Sequence, residues 1–301
     1  MNKGAEVYLF GQILATRSIL LRDGFLKPDE YSEISEQYFL PGGETGTAAT
    51  VLSSLGVSVI MDGTHIGTEV APVIKDFYKD KSVDLSLLTY TDDPGVTDTV
   101  VIAGLVRSPM GRFQTLFSTG ERWWGIPKEE HIAHCKAAAI DPYFYNESLS
   151  AAEICVRLGK PYVTIDCVHD SYLHRNAAVD VISHECIDIR YPGKTVEEVM
   201  ALMQAGSDGL TIITQGGGEM LYGRRGGEIH RMAALPAEVK STLGAGDTFK
   251  AGCVYGVLHG MADDELVRFA SACSAVAISR FPLPLNPPTL DEVRDAIEKY
   301  A

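Results

Sequence analysis

Positive charge is scarce in this chain of 301 residues: 26 Lys and Arg stand against 40 Asp and Glu, a formal net charge of −14. A nucleic-acid partner needs a basic face to meet its phosphates, and here no basic run is longer than Arg224-Arg225, so that class is set aside. Long apolar runs are missing as well. No stretch approaches the roughly 18 residues of a membrane span, which sets aside the bilayer as a partner. Six cysteines, at 135, 155, 167, 186, 253 and 273, include no C-x-x-C pair and mostly lie in apolar runs such as Thr164-Ile165-Asp166-Cys167. Buried, reduced thiols are the expectation rather than a disulfide framework or a zinc cage. Met1 to Leu14 lacks the basic, apolar and small-residue order of a secretory signal, so a cytoplasmic protein is expected.

Common catalytic signatures are also absent. Pro192-Gly193-Lys194-Thr195 ends like a P-loop, but Asp188 stands where the first glycine belongs. The dinucleotide fingerprint fails at Phe249 and again at Leu221. His184-Glu185-Cys186-Ile187-Asp188 lacks the second histidine of a zinc protease helix, and no G-x-S-x-G elbow occurs.

What is present is a repeated strand-to-helix order. Val7 to Phe10 reads as a first strand, and Ile19 to Leu40 as short strands standing away from the main body. A helix is expected from Ala48 to Leu55, a strand from Val57 to Met61, a helix from Val70 to Lys79 and a strand from Leu85 to Thr89. Thr99 to Ile102 and Phe113 to Phe117 read as a hairpin broken by Pro109-Met110-Gly111. Ala137 to Ile140, Tyr162 to Ile165, Val179 to Ile182 and Leu210 to Ile213 are short apolar runs, each ending in polar residues and followed by a helical pattern. That order indicates a parallel α/β sheet with ligands at the carboxyl ends of the strands, where Asp141, Asp166, Glu185 and Thr214 fall.

The most informative run is Ser241-Thr242-Leu243-Gly244-Ala245-Gly246-Asp247-Thr248-Phe249, followed by an apolar helix to His259 that Gly260 stops. A glycine turn opening a helix aims unpaired N–H groups and the positive dipole end at one point, which suits a phosphate. Asp247 would repel that anion. Its place is explained if it takes a proton from a hydroxyl attacking the phosphate; the plain alternative is an acidic first turn of an ordinary helix. Pro41-Gly42-Gly43-Glu44-Thr45-Gly46-Thr47 precedes a second helix and would let a polyhydroxyl ligand approach the backbone, or is a flexible turn. Thr214-Gln215-Gly216-Gly217-Gly218 is either a tight β-turn or a neighbour of a nucleotide.

Together the two glycine clusters and Gly244-Ala245-Gly246-Asp247 resemble the PfkB carbohydrate kinases, and the resemblance runs over nearly the whole chain. It implies a ribokinase-like three-layer α/β fold, with a mostly parallel central sheet flanked by helices and a small β lid from segments near 12–40 and 96–118, all within one domain, 1–301. It also implies transfer of the γ-phosphoryl group of ATP, with Mg²⁺, to a hydroxyl of a sugar or sugar-like molecule. On that resemblance Asp247 is the base, and Gly244, Ala245 and Gly246 form the anion hole. Gln12, Thr16, Gly42, Gly43 and Thr47 line the substrate site. Ser183, Glu185, Thr214, Gly216, Gly217, Thr242, Gly244, Gly246 and Ser271 lie by the nucleotide, with Glu185 near the metal. A homodimer through the lid is expected too.

The chain departs from the family pattern where the substrate is chosen. Thr16 and Thr47 replace an aspartate and an asparagine, and Ser183-His184-Glu185 stands for an asparagine-and-glutamate motif. Ser241 replaces an aspartate, which weakens the expectation of a monovalent cation site. A standard ribose or fructose site is therefore not expected. A catalytically silent sugar- or nucleotide-sensing protein on the same fold is the alternative, and a hydroxymethylpyrimidine- or pyridoxal-type kinase a third.

Overall fold

The computed structural model describes residues 4–25, 27, 29–118 and 120–300, so 26 and 28 of the expected lid lie outside the described residues. The chain begins with β1 (Val7–Gly11), β2 (Leu14–Leu21), β3 (Ile34–Gly42), α1 (Glu44–Ser54), β4 (Val59–Gly63), α2 (Ala71–Tyr78) and β5 (Val83–Asp84). It continues through β6 (Thr97–Ala103), β7 (Val106–Gly111), α3 (Glu129–Ala133), β8 (Ala137–Ile140), α4 (Tyr145–Arg157), β9 (Tyr162–Ile165), α5 (Tyr172–Asn176) and β10 (Val179–Ser183). Last come α6 (His184–Arg190), α7 (Val196–Gly206), β11 (Leu210–Thr214), β12 (Glu219–Gly223), β13 (His230–Ala233), α8 (Ala245–His259), α9 (Asp263–Ile278) and α10 (Leu290–Lys299).

The central sheet has the order β13-β12-β11-β10-β9-β8-β1-β4-β5. It is parallel from β5 to β11; β12 pairs antiparallel to β11, and β13 antiparallel to β12. Strands β8 and β9 are buried at every residue, as continuous apolar runs between two helical layers must be. β1 shows the layering directly. Val7 and Leu9 belong to one core with α1, α8 and α9, while Tyr8 and Phe10 belong to a second with Phe144 and α4. The expected three-layer α/β architecture is therefore what the chain adopts. Among the described residues no helix is long and apolar enough to cross a membrane, and all six cysteines are free and buried.

A separate four-stranded sheet, β3-β2-β6-β7, is the expected small β lid. Its second segment differs from expectation. β6 turns back at Gly104, which has φ 59°, and pairs with β7, so Pro109-Met110-Gly111 lies inside a strand rather than in a break. Proline is tolerated there because β7 is the sheet edge. Phe113–Phe117 is a 3₁₀ helix instead of a strand. Phe113 and Phe117 meet each other and pack on Phe144 of the main body. Leu85 to Thr89 is likewise no strand: the Asp84 carboxylate takes the Ser86 amide at 2.8 Å, and that side-chain turn ends β5 after two residues.

Candidate functional site

A cavity of about 340 Å³ lies between the lid, the loop after β1 and the N-terminus of α8. Gln12, Thr16, Gly42, Gly43, Thr47, Gly244 and Asp247, all expected from the sequence to meet substrate or phosphate, line it together. The glycine pair owes its identity first to close packing within the protein, Gly42 against a side chain and Gly43 against backbone. A Cβ at Gly42 would stand 1.9 Å from Thr16 Oγ1. One at Gly43, where φ is 79°, would stand 2.4 Å from the Gln12 carbonyl oxygen. That carbonyl instead accepts the Thr45 amide at 3.0 Å, tying the start of α1 to the loop after β1.

At the other wall Gly244 takes the left-handed conformation, φ 78°, as the N-cap of α8. Its carbonyl accepts both the Thr248 amide at 2.9 Å and the Thr248 hydroxyl at 2.8 Å, which fixes the turn. Ala245 N–H, expected to face the anion with its neighbours, donates here to the Thr242 carbonyl at 3.2 Å. The amides of Gly244, Gly246 and Asp247 bond no backbone carbonyl among the described residues. A Cβ on Gly246 would meet no heavy atom within 4 Å, so its backbone is open to an approaching ligand. Arg107 of β7 donates to the Thr242 carbonyl at 2.7 Å, clasping the lid to this turn.

Behind Asp247 lies a buried charge cluster. Lys250, on the next turn of α8, bonds the Asp141 carboxylate at the end of β8 and stands 3.6 Å from Glu44 Oε2. Asp141 also accepts the Gln12 amide at 2.8 Å and the Thr45 hydroxyl at 2.9 Å, so it ties both ends of the substrate wall to the sheet. Burial drives the Asp247 carboxyl above the ordinary aspartate value, with Lys250 pulling against it. Burial and the Asp141 charge raise Glu44 well above its ordinary value, with Lys250 pulling against them. Burial alone would lower Lys250, but Asp141, Glu44 and Asp247 outweigh it and raise the ammonium.

Of the residues expected beside a nucleotide, Gly244 alone lines this cavity. Ser183 and Thr214 end neighbouring parallel strands in register, at the carboxyl edge of the sheet. Ser183 is held by Asp166, donating its amide at 2.7 Å and its hydroxyl at 3.2 Å, and it caps α6 by accepting the Cys186 amide. Gly216 has φ 58° and, with Gly217, forms an exposed turn between β11 and β12. Glu185 is 59% exposed and pairs with His184 at 3.1 Å. Thr242 is half-buried and meets Arg107 through its carbonyl. Ser271 is the clearest departure: it is buried in α9, where its hydroxyl accepts the Leu235 amide at 3.0 Å, so it pins a loop rather than facing a ligand. Ser241 is buried as well and accepts the Leu243 amide at 3.2 Å. Among the described residues no three His, Cys, Asp or Glu side chains gather as a metal cage.

Sequence reasoning missed Glu44, Asp98, Arg107 and Lys250. For Lys250 a signal existed: a lone cation inside the apolar run Thr248 to His259 demands a buried carboxylate nearby.

Comparison with known proteins agrees with this fold. The family model described as pfkB family carbohydrate kinase matches residues 121–287. A 5-dehydro-2-deoxygluconokinase of Shouchella clausii is 33% identical over 73 residues, 24% of this chain and only 22% of that protein, so the chain matches well under two thirds of the relative. A putative ribokinase from Agrobacterium tumefaciens superposes with a TM-score of 0.87 at 19% identity, over 99% of this chain and 98% of that one. The ribokinase of Arabidopsis thaliana complexed with ribose and ATP superposes with a TM-score of 0.77 at 16% identity, over 98% and 99%. At such identities the likeness is one of fold: the sheet, the helical layers and the lid are those of the ribokinases.

Proposed function

Because the chain belongs to the pfkB family of carbohydrate kinases, we propose that it moves the γ-phosphoryl group of ATP to a hydroxyl of a sugar-like molecule. The whole chain, 1–301, is then one kinase domain. The observation that carries this reading is Asp247: a carboxylate on the first turn of α8, lining the substrate cavity beside amides that bond no backbone carbonyl. A carboxylate there stabilises the helix end, but in a protein that only binds phosphate it would also repel the ligand. A protein that must take a proton from an attacking hydroxyl gains a base.

The roles of the chain's own groups follow. Asp247 accepts the hydroxyl proton, and Gly244, Gly246 and Asp247 amides take the charge that builds on the transferred group. Gln12, Thr16, Gly42, Gly43 and Thr47 hold the acceptor. The edge formed by Ser183, Thr214, Gly216 and Gly217 takes the rest of the nucleotide. Mg²⁺, which one or two carboxylates with substrate phosphates and water can hold, would be held here by the exposed Glu185. When bound it offsets phosphate charge. Ser241 offers a hydroxyl already used within its loop, which gives no support to a monovalent cation site. Arg107 holds the lid over the cavity, where it keeps water from the reaction. The lid edge also exposes Leu105, Val106 and Met110, which favours a homodimer through this surface. A cytoplasmic site of action fits ATP as the donor.

The deciding experiment measures ADP formation with Mg²⁺–ATP over a panel of sugars, sugar acids and nucleosides, for wild type and Asp247→Asn. The variant is expected to lose about 10²–10⁴-fold in kcat while still binding ATP. Wild-type turnover of nothing in the panel, with sugar or nucleotide binding retained, would favour the silent sensor.

A further inference from the structure

The lid turns one carboxylate into the cavity whose hydrogen bonding the protein leaves incomplete. Strands β2, β6 and β7 each give the cavity two residues spaced by two: Thr16 and Ser18, Asp98 and Val100, Arg107 and Pro109. That period places all six on one face of the lid sheet. Asp98 stands opposite Thr16 in the parallel ladder of β2 and β6. Burial pushes its carboxyl above the ordinary aspartate value, and the Thr16 hydroxyl draws it back. Its Oδ1 is nevertheless buried and accepts no hydrogen bond.

A buried acceptor without a donor is destabilising, and more so when it is charged. Protein donors could have removed that cost at little structural expense, since Thr16 and Ser18 are adjacent. Asp98 instead lines the cavity, where a ligand hydroxyl can supply the missing donor. The charge of the wall narrows the ligand further. Its ionisable members are Glu44, Asp98 and Asp247 on one side and Arg107 alone on the other, and Arg107 already spends an Nη1–H on Thr242. A carboxylate or phosphate on the acceptor would be drawn into a wall with three acidic groups against one guanidinium, which disfavours it.

We propose that Asp98 is a specificity-determining substrate contact, accepting hydrogen bonds from the hydroxyls of an uncharged polyol. Acceptors bearing carboxylate or phosphate are then poor substrates. This rests on the kinase reading and names the acceptor class for the same site. It also separates the relatives by their names: the Arabidopsis ribokinase was crystallised with the neutral sugar ribose, whereas the Shouchella enzyme is named for an acid.

The test compares wild type, Asp98→Asn and Asp98→Ala against neutral sugars (ribose, fructose, glucose), gluconate and fructose 1-phosphate. It reads ADP release and, separately, the melting shift that each compound gives without ATP. A neutral sugar should give the highest kcat/KM. Asp98→Asn should raise its KM at least about tenfold, the loss of one charge-assisted hydrogen bond, with kcat within about threefold. The ligand-free Asn variant should melt no lower than wild type, because the orphaned charge is gone; a purely structural Asp98 would lower it. A preference for gluconate or the phosphate, or a KM within about twofold of wild type, overturns the proposal. If wild type turns over no compound, the kinase reading fails, and the melting shifts still decide Asp98. A shift by neutral sugars that both variants lose supports it, and no such difference refutes it.

Discussion

Lys250 and Asp141 form an ion pair sealed from water, each side chain 1% exposed, although they are 109 residues apart. The pair joins helix α8 to the carboxyl end of β8. Because Asp141 also holds the Gln12 amide and the Thr45 hydroxyl, one buried charge pair sets the distance between the two walls of the cavity.

Lys250→Met should therefore harm both stability and chemistry. Removing one member of a buried pair typically costs about 3–5 kcal/mol, here because Asp141 is left charged and unpaired. Denaturant unfolding measures this. Lys250→Arg keeps the charge and separates electrostatics from shape: it should recover more activity than Met at equal folded fraction. Equal stability of Met and wild type would refute the structural role.

The pH profile carries a second prediction. A base works only when deprotonated, and burial raises Asp247 above its ordinary 3.8 while Lys250 opposes the rise. The acid limb of kcat should thus lie above 3.8, and activity should fall as pH drops through that raised value. Loss of the Lys250 charge removes the opposing pull, so in Lys250→Met the limb should move to higher pH. A limb that moves down, or stays put, would show that Lys250 does not act on Asp247.

How much of this could be read from the chain depends on the range of the contacts. The Gly244-Ala245-Gly246-Asp247 turn and the buried strands β8 to β11 are local patterns, and they were legible. Asp98 was not: nothing in the sequence joins it to Thr16, 82 positions earlier by residue number, and only the β2–β6 ladder brings the two together. β7 escaped because all six of its residues are exposed and Pro109 reads as a break. Phe113 to Phe117 looked like a strand because it is aromatic, yet the same rings are four residues apart, the spacing that lets them touch on a helical turn. α10 was overlooked despite a legible signal, the reciprocal capping of Thr289 and Glu292.

Two glycines in the site should respond with opposite signs. Gly42→Ala places a methyl 1.9 Å from Thr16 Oγ1, so the lid base must shift. Overpacking of this kind costs about 1–3 kcal/mol, and the acceptor KM should rise with it. Gly246→Ala meets nothing within 4 Å and lies in a helix, where alanine should stabilise by about 0.5–1 kcal/mol. If the neighbouring amides receive phosphate as proposed, a methyl here should nonetheless crowd the ligand, so kcat should fall. Melting temperature against kcat for both variants checks the pair. A Gly246→Ala protein that is both more stable and fully active would remove that backbone from the anion site.

Far from the cavity, His174 and Asp180 form a second buried pair, with Nδ1 2.7 Å from Asp180 Oδ2 and Nε2 2.9 Å from the Met203 carbonyl. A carbonyl can only accept, so Nε2 carries a proton, and the carboxylate at Nδ1 favours a second. Burial alone would lower His174, but Asp180 and Met203 outweigh it and raise it above its ordinary 6.5. Burial likewise pushes Asp180 up, against the pull of His174, which holds the carboxylate charged beside the imidazolium. The sign for stability follows. A histidine with a raised folded value adds stability that is fully present below about 6.5, the unfolded value. That stability is lost as pH climbs through the folded value, where Nδ1 gives up its proton and faces a bare carboxylate. Asp180→Asn should cost about 3–5 kcal/mol at pH 6, as breaking a buried pair does, and the gap to wild type should shrink steadily toward pH 9. Urea unfolding of both proteins across that range measures it. A gap that stays constant with pH would mean the pair is held as neutral groups, and one that widens would reverse the assignment of charge.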